Sequence, residues 1–225
     1  MPHSQNPPEF LVDAPARPAP LTFAFAHGAG APMDTPFMSF FATGLAAHGW
    51  RVVRFEFPYM ARRRSESGRS PPDRQPVLLE TWQRAIAALE PGPLVIGGKS
   101  MGGRMASLIA DEAREGGASV VGLACLGYPF HPTGKPERLR TDHLATLRTP
   151  CLICQGTRDP LGNAEEIAGY ELAASIRLHW AADGDHHLAP RKASGRTAEQ
   201  NWTEAVEALD SFFGSLTMIR STSKG

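Results

Sequence analysis

The sequence has few cysteines, no net charge and no long run of apolar residues. Its 225 residues include three cysteines, a small and odd number that excludes a disulfide framework and predicts a reduced, cytoplasmic protein. The 23 basic and 23 acidic side chains cancel, so we expect neither a nucleic acid nor an anionic membrane surface as a partner. No stretch approaches the roughly 18 apolar residues of a membrane helix. Residues 1–9 lack an apolar segment, so we expect no signal peptide.

Metal-binding patterns are also missing from the sequence. The histidines lack ligand spacing, and two of the cysteines stand in the apolar segment 151–154 (Cys-Leu-Ile-Cys). This segment matches C-x-x-C, but it lies inside a predicted strand rather than at the start of a helix. Packing is therefore a better interpretation than redox chemistry or zinc binding. We predict no metal and no cofactor.

What the sequence does contain is a serine between closely spaced glycines. Residues 98–102 (Gly-Lys-Ser-Met-Gly) fit the pattern G-x-S-x-G. The apolar run 94–96 before them predicts a buried strand, and the apolar spacing within 104–113 predicts a helix after them. Strand, sharp turn and helix form the nucleophile elbow of an α/β-hydrolase, so Ser100 is the candidate nucleophile. The alternative is a tight turn that carries a serine incidentally.

An orienting acid and a base follow in the chain order that this fold requires, Ser…Asp…His. Asp159 comes after the apolar strand predicted at 151–155, and His186 comes after the strand predicted at 176–181. In such an arrangement the histidine takes the serine proton, while the carboxylate holds the tautomer and stabilises the imidazolium.

Neighbouring residues compete for both of these roles. His187 is the alternative base, directly after His186. Asp183 and Asp185 are the alternative acids. Both lie within three residues of His186, a spacing that suits a local turn better than an orienting contact.

A glycine loop supplies the remaining part of a hydrolase site. Residues 27–30 (His-Gly-Ala-Gly) follow the apolar strand 21–26, where this fold has the loop that donates one backbone N–H. We assign the two oxyanion donors to the backbone N–H groups of Ala29 and Met101. The alternative is an ordinary glycine loop.

Alternating strands and helices predict an α/β fold, a three-layer α/β-hydrolase with a mostly parallel sheet of about six strands. The predicted strands lie at 21–26, 51–57, 94–97, 119–126, 151–155 and 176–181. The predicted helices lie at 35–48, 76–90, 104–113, 142–148, 163–173 and 198–214.

We expect three regions along the chain: an irregular proline-rich arm at 1–20, one hydrolase domain at 21–215 and a polar tail at 216–225. Segment 127–149, where larger relatives insert a lid domain, is too short for one, so we predict a near-minimal hydrolase with an open cleft. Segment 58–75 is long for a connection, which indicates function or disorder.

Basic side chains are concentrated in the loops predicted at the carboxyl-end edge of the sheet. These loops hold 14 Lys or Arg residues and eight Asp or Glu residues, a net charge of +6 in a neutral protein. A positive edge attracts anionic substrates. The substrate-binding candidates are Lys99, Arg63, Arg64, Arg69, Arg191 and Lys192. The alternative is that these arginine-rich loops are only solvated.

Several phrases of the sequence together resemble one known family. They are AHGAGAPMD (26–34), RFEFPYM (54–60), GKSMGGR (98–104), LGYPFHP (126–132), QGTRD (155–159) and GDH (184–186). They are similar to the dienelactone-hydrolase-like α/β-hydrolases related to a testis-expressed hydrolase-like protein and to the hydrolase-like domain of a non-specific-lethal chromatin complex subunit.

The resemblance spans about residues 20–215 and implies the α/β-hydrolase fold with Ser100, Asp159 and His186 at the triad positions. The family pattern favours His186 over His187 as the base, because it places Asp-His directly after a glycine turn. Where the family often has Ser after the catalytic His, this chain has His187. The family does not define a substrate, and some of its members are expected to act as scaffolds.

Residues and resemblance together predict a serine hydrolase. The expected activity is that of an esterase or thioesterase acting through an acyl-enzyme on a small soluble substrate, with anionic substrates as a further hypothesis. The alternatives are a scaffold or binding module that keeps the fold without turnover, and a hydrolase of short peptides. A complete Ser100, Asp159 and His186 set argues against the scaffold. We expect a cytoplasmic monomer or homodimer.

Overall fold

Seven strands form one sheet in the computed structural model, which describes residues 6–65 and 70–222. The strands are β1 (Phe10–Asp13), β2 (Thr22–Ala26), β3 (Arg51–Phe55), β4 (Leu94–Lys99), β5 (Val120–Leu126), β6 (Cys151–Gly156) and β7 (Ile176–Ala181). Their order across the sheet is β1-β3-β2-β4-β5-β6-β7. Strands β2 to β7 pair in parallel, which confirms the predicted mostly parallel sheet.

The seventh strand, β1, corrects the prediction of six strands and of a wholly irregular arm. It runs antiparallel to β3, with Phe10 opposite Phe55 and Asp13 opposite Val52. The carboxylate of Asp13 pairs with Arg54 of β3 at 2.8 Å. Four residues between proline-rich segments give too short a pattern to predict a strand, and β1 is fixed by its partner instead.

Helices cover both faces of the sheet. They are α1 (Pro36–Ala47), α2 (Pro58–Ser65), α3 (Gln75–Leu89), α4 (Met101–Glu115), α5 (Ala164–Ile167) and α6 (Ala198–Thr222), with a 3₁₀ turn at Lys192–Ser194. Thr35 caps the start of α1, since its side chain accepts from the N–H of Met38. A capping box precedes α6, where Thr197 and Gln200 bond each other's backbone N–H.

Alternation along β2 shows how the core divides into two layers. Phe23 and Phe25 pack with α1 and α6 on one face of the sheet. Ala24 and Ala26 face the other layer, which contains Trp82 of α3 and residues of α4. Since successive side chains of a strand point to opposite faces, β2 is buried on both sides, as a parallel sheet requires. The three-layer prediction is confirmed.

Two predicted helices are wrong. Segment 142–148 forms turns at 142–146 and no helix, and beyond them Asp111 accepts from the N–H groups of Arg148 and Thr149. The helix predicted at 163–173 shrinks to α5, which ends before Gly169, a poor helix former.

Two other segments are more helical than predicted. Segment 58–75 begins with α2 rather than with loop, and α6 continues past residue 214 to Thr222, into the predicted polar tail. Among the described helices, none combines the length and the apolar character of a membrane span.

Candidate active site

Ser100 lies in the sharp turn between β4 and α4, at the carboxyl-end edge of the sheet. Its backbone has φ 51° and ψ −114°, and a positive φ is uncommon for residues other than glycine. A Cβ on Gly102 would lie 2.6 Å from the carbonyl oxygens of Ala26 and His27, and one on Gly98 would also collide with Ala26. The elbow therefore has room only for glycine on both sides of Ser100.

Ser100, His186 and Asp159 form a continuous chain of hydrogen bonds. The Oγ of Ser100 lies 2.8 Å from Nε2 of His186, and Nδ1 of His186 lies 2.7 Å from Oδ2 of Asp159. An ionised carboxylate only accepts, so Nδ1 carries the proton and Nε2 is left to accept the hydroxyl proton. The structure thus brings together the three residues predicted for the triad.

Asp159 is fully buried and tightly held. Its Oδ1 accepts from the N–H of Leu161 at 2.8 Å, and its Oδ2 accepts from the side chain of Gln155 at 3.0 Å. Gln155 is itself buried, and its amide also donates to the carbonyl of Gly162. Sequence reasoning missed this positioning residue. The available signal was one polar side chain in the otherwise apolar strand β6.

The competing residues are engaged elsewhere. Asp183 pairs with two arginines outside the triad. Asp185 closes the local turn, since its Oδ1 accepts from the N–H groups of His187 and Ala189 at 2.7 and 3.0 Å. The ring of His187 packs edge-on to Phe37, with centroids 6.3 Å apart. Neither carboxylate nor His187 enters the hydrogen-bond chain of Ser100.

The loop that carries Ala29 is held from behind by two side chains that sequence reasoning did not single out. The carbonyl of Gly28 accepts from Nδ1 of His27 at 2.6 Å and from the hydroxyl of Tyr59 at 3.3 Å. Nε2 of His27 accepts from the N–H of Phe57, which leaves Nδ1 as the donor. Burial lowers the pKa of His27 and so favours this neutral form.

Fixing the carbonyl of Gly28 also fixes the N–H of Ala29, because the two groups point in opposite directions across a trans peptide. Met101, the second predicted donor, is the first residue of α4, where backbone N–H groups lack helical partners. Within the described part of the chain, neither N–H donates to a protein acceptor. Both residues line a cavity together with Ser100.

Lys99 contacts the loop that carries His186. Its Nζ donates to the carbonyl oxygen of His186 at 2.6 Å and lies 5.6 Å from the ring centre of Phe37. Burial lowers the pKa of Lys99 to about 7. The negative charges of Asp159 and Asp185 raise the pKa and offset only part of this effect. This substrate-binding candidate therefore also supports the position of His186.

The candidates on α2 are occupied by other contacts. Arg64 forms ion pairs with Glu56 and Asp34, at 2.7 and 2.8 Å. The guanidinium of Arg63 lies 5.1 Å from the ring centre of Tyr59 and donates to a backbone carbonyl. Neither lines the cavities that contain Ser100.

The remaining candidates are also remote from Ser100 or undescribed. Arg191 pairs with Asp183, as does Arg158. Lys192 is exposed in the 3₁₀ turn. Arg69 lies outside the described residues. Of the five candidates that lie within the described residues, only Lys99 lines a cavity at the edge of the triad.

A cavity of about 400 Å³ opens on the side of Ser100 where His186 lies. We call it the apolar cavity, because Ala31, Pro32, Phe37, Met38 and Trp202 form most of its wall. It is shallow and open to solvent, and no inserted domain covers it within the described residues.

A second cavity, of about 360 Å³, opens on another side of Ser100. We call it the arginine cavity, because the side chains of Arg104 and Arg140 line it together with Met101 and Pro129. Ser100 and Ala29 line both cavities. A larger concavity of about 440 Å³, near residues 6–9, contains no member of the triad.

The side-chain types that bind metal ions are also present in the described part of the chain. Among the described residues, no group of three or more His, Cys, Asp or Glu side chains is arranged to hold an ion. The cysteines Cys125, Cys151 and Cys154 are free and buried, and burial raises the pKa of Cys154 and Cys151. The C-x-x-C pattern therefore lies in packed core.

Comparison with known proteins agrees with this arrangement. The family model described as "Alpha/beta hydrolase domain" matches residues 19–214. The chain belongs to this family. Among solved structures, it is similar to dienelactone hydrolase from Anabaena variabilis, with 20% identity and a TM-score of 0.67 over 92% of this chain and 90% of that one.

Two further similar structures come from other bacteria. An α/β serine hydrolase homologue from Coxiella burnetii shares 17% identity, with a TM-score of 0.66 over 89% of this chain and 90% of that one. An α/β serine hydrolase without a lid from Xanthomonas campestris shares 18% identity, with a TM-score of 0.61 over 89% and 88% of the two chains. At these identities the likeness establishes the fold and not the substrate.

Proposed function

We propose that this α/β hydrolase is a serine esterase or thioesterase that works through an acyl-enzyme. The observation that carries the proposal is the hydrogen-bond chain from Ser100 through His186 to buried Asp159, at an elbow with positive φ. Nucleophile, base and orienting acid within hydrogen-bond reach are the arrangement that activates a serine hydroxyl.

Acylation begins when Oγ of Ser100 attacks the carbonyl carbon and Nε2 of His186 takes the hydroxyl proton. The resulting oxyanion binds the N–H groups of Ala29 and Met101, which have no other acceptor among the described residues. Asp159 stabilises the imidazolium through its bond to Nδ1. The tetrahedral intermediate then collapses, and His186 gives its proton to the leaving alcohol or thiol.

Deacylation repeats these steps with water as the nucleophile. His186 takes a proton from the water, the hydroxide adds to the acyl carbon, and the bond to Oγ of Ser100 breaks. The proton returns to Ser100, and the products are a free acid and an alcohol or thiol. The bond from Nδ1–H to Asp159 holds the tautomer in which Nε2 is free to take the proton.

The shape of the site supports small, soluble substrates. The apolar cavity is open and of about 400 Å³, a volume within the range of small-molecule sites. Segment 127–149 packs Tyr128 and Phe130 into the core instead of forming a lid. Both esters and thioesters are candidate substrates, because an alkoxide leaving group needs the proton of His186 and a thiolate can leave with or without it.

Labelling with a fluorophosphonate probe tests this proposal without knowledge of the substrate. We expect the wild-type protein to be labelled at Ser100, and Ser100→Ala to lose both labelling and ester hydrolysis with a nearly unchanged Tm. Ser107→Ala is the matched control, since Ser107 lies in the same helix outside the triad. Equal labelling of wild type and Ser100→Ala would reject the proposal in favour of a scaffold.

Other aspects of the proposal rest on the sequence. The kinship with a testis-expressed hydrolase-like protein rests on the motif phrases, and the cytoplasmic location rests on the free, buried cysteines. We expect a monomer or a homodimer, because the site is open to solvent and is formed within one chain. Hydrolysis of short peptides is a second candidate, since the cleft is open at the apolar cavity.

A further inference from the structure

Arg104 lies one helical turn after Ser100 in α4, on the same side of the helix. The N–H of Arg104 donates to the carbonyl of Ser100 at 3.0 Å, so the two residues are joined through the helix backbone. Arg104 lines the arginine cavity, and its Nε is buried without a hydrogen-bond partner. Buried polar groups are nearly always satisfied, so an unpaired guanidinium N–H calls for a ligand.

Arg140 approaches the same cavity from the segment after β5. Two hydrogen bonds hold its backbone. The N–H of Arg140 donates to the carbonyl oxygen of Phe130, and the carbonyl oxygen of Arg140 accepts from the hydroxyl of Tyr128 at 3.1 Å. Burial, and then the charge of Arg104, lowers the pKa of Arg140. Arg104 and Arg140 line both the arginine cavity and a neighbouring concavity, so two positive charges share one small region, where an anion would be favourable.

Acidic residues nearby do not neutralise this pair. Asp73 lines the arginine cavity, but it accepts from Arg62 and from the N–H of Tyr59. Glu137 and Asp142 line a neighbouring concavity together with both arginines. Within the described ranges, none of these carboxylates forms an ion pair with Arg104 or Arg140. His143 adds no further positive charge, since burial and Arg104 lower its pKa to about 4.

The position of the cavity tells which part of a substrate reaches it. The leaving atom must lie near Nε2 of His186, which lines the apolar cavity and not the arginine cavity. The arginine cavity is lined by Met101, one of the two residues whose N–H groups are assigned to the oxyanion, and it shares the other, Ala29, with the apolar cavity. The leaving group therefore extends into the apolar cavity, and the acyl chain extends toward the arginines.

We propose that Arg104 and Arg140 form a subsite for a carboxylate on the acyl part of the substrate. The preferred substrates are then half-esters or half-thioesters of short dicarboxylic acids. Two arginine forks match the planar carboxylate by charge and by hydrogen-bond geometry. This inference rests on the proposed function for the assignment of acyl and leaving groups, and it replaces Arg63, Arg64, Arg191 and Lys192 as anion-binding candidates.

Binding to the Ser100→Ala variant tests the subsite without any turnover. The probes are ethyl hydrogen glutarate and its neutral isostere, the ethyl ester of glutaramic acid, and the readout is calorimetric titration. We expect the acid to bind about 10- to 100-fold more tightly than the amide, the range of charge-assisted hydrogen bonds. Arg104→Gln and Arg140→Gln in this background should remove most of that preference, whereas Arg148→Gln, a surface arginine paired with Asp111, should retain it.

Kinetics of the active enzyme supply the second readout. The ratio of kcat/KM for the acid over the amide should fall by the same factor in Arg104→Gln and Arg140→Gln. Arg104→Lys and Arg140→Lys keep the charge and lose the fork, so they should retain part of the ratio, and they serve if a Gln variant does not fold. A melting curve of each variant identifies such a failure.

Three results would overturn the subsite: equal binding of acid and amide to Ser100→Ala, a preference that survives in the double Gln variant, or a preference lost in Arg191→Gln instead. Failure of the proposed function is a separate result. Absence of fluorophosphonate labelling rejects the hydrolase while the titrations still decide the carboxylate subsite. A labelled Ser100 without charge preference rejects only the subsite.

Discussion

The two cavities that meet at Ser100 differ in what their walls can stabilise. The apolar cavity has aromatic and aliphatic walls, and its lysine donates to a protein carbonyl. The arginine cavity has two guanidinium groups without carboxylate partners among the described residues. Elsewhere Arg64 and Arg191 are matched by acids. The comparison indicates that the useful sign of an anion-binding site is a basic side chain without an acidic partner. The number of basic side chains in a region is a poorer guide.

The largest expected effect is a loss of catalysis that is the same for substrates that use either cavity. In Asp159→Asn the amide favours the wrong tautomer of His186, so kcat should fall on the order of 10⁴-fold. The ratio between acidic and neutral esters should stay constant, because the arginine cavity is untouched. Steady-state kinetics with both esters measure this. His187→Ala is the control and should alter KM more than kcat, since its ring only lines the apolar cavity.

A loss of kcat in His187→Ala as large as in Asp159→Asn would contradict the assignment of His186 as the base. A ratio that shifts in Asp159→Asn would show that the triad and the arginine cavity are coupled.

A smaller effect should follow from a charge placed in the apolar cavity. Ala31→Glu puts a carboxylate on its exposed wall. For esters with a butyl leaving group, kcat/KM should fall about 10-fold, because burying a charge against an alkyl chain is costly. Methyl esters should lose less. The control is Ala16→Glu, at an exposed alanine outside this cavity. A uniform loss for methyl and butyl esters would mean that the leaving group lies elsewhere.

The last prediction concerns stability rather than turnover, and it follows from the charge state of Lys99 in the apolar cavity. Lys99 titrates at about 7 in the folded protein, against 10.5 in the unfolded chain. Between these values the unfolded chain binds more protons at this residue, so its contribution to the free energy of unfolding rises with pH. The difference between wild type and Lys99→Met should therefore grow in favour of wild type from pH 7 to pH 9.5.

Urea unfolding at several pH values measures this difference. The buried cysteines are present in both proteins, so their effect on the pH dependence of stability is the same and drops out of the difference. Lys135→Met, at an exposed lysine, is the control and should show no such trend. A constant difference across the range would mean that Lys99 stays charged in the apolar cavity.

Topology explains why Ser100, Asp159 and His186 were accessible from the sequence. Each follows a strong apolar strand, and parallel strands bring their carboxyl ends to one edge. The arginine cavity was not accessible in this way. Arg104 and Arg140 belong to different elements, and what distinguishes them is the lack of a partner, a property of three-dimensional contacts that no local pattern carries.

Other features were missed for related physical reasons. Strand β1 is too short to show a period, and its pairing with β3 spans about 40 residues of chain. Gln155 and Tyr59 were missed because their roles depend on which backbone group each side chain reaches. The helix predicted at 142–148 is replaced by turns, and the N–H of Arg148 at its end donates to Asp111, a residue distant in sequence.

The backbone of Ser100 has a consequence for evolution of the molecule. A non-glycine residue at such a positive φ costs about 1–3 kcal/mol, while a domain has only about 5–15 kcal/mol of net stability. The change that would relax this backbone most, Ser100→Gly, also removes the hydroxyl. Selection for stability alone would therefore favour the replacement of Ser100, whereas the proposed chemistry requires its hydroxyl. Folding and reactivity make opposite demands on this one residue.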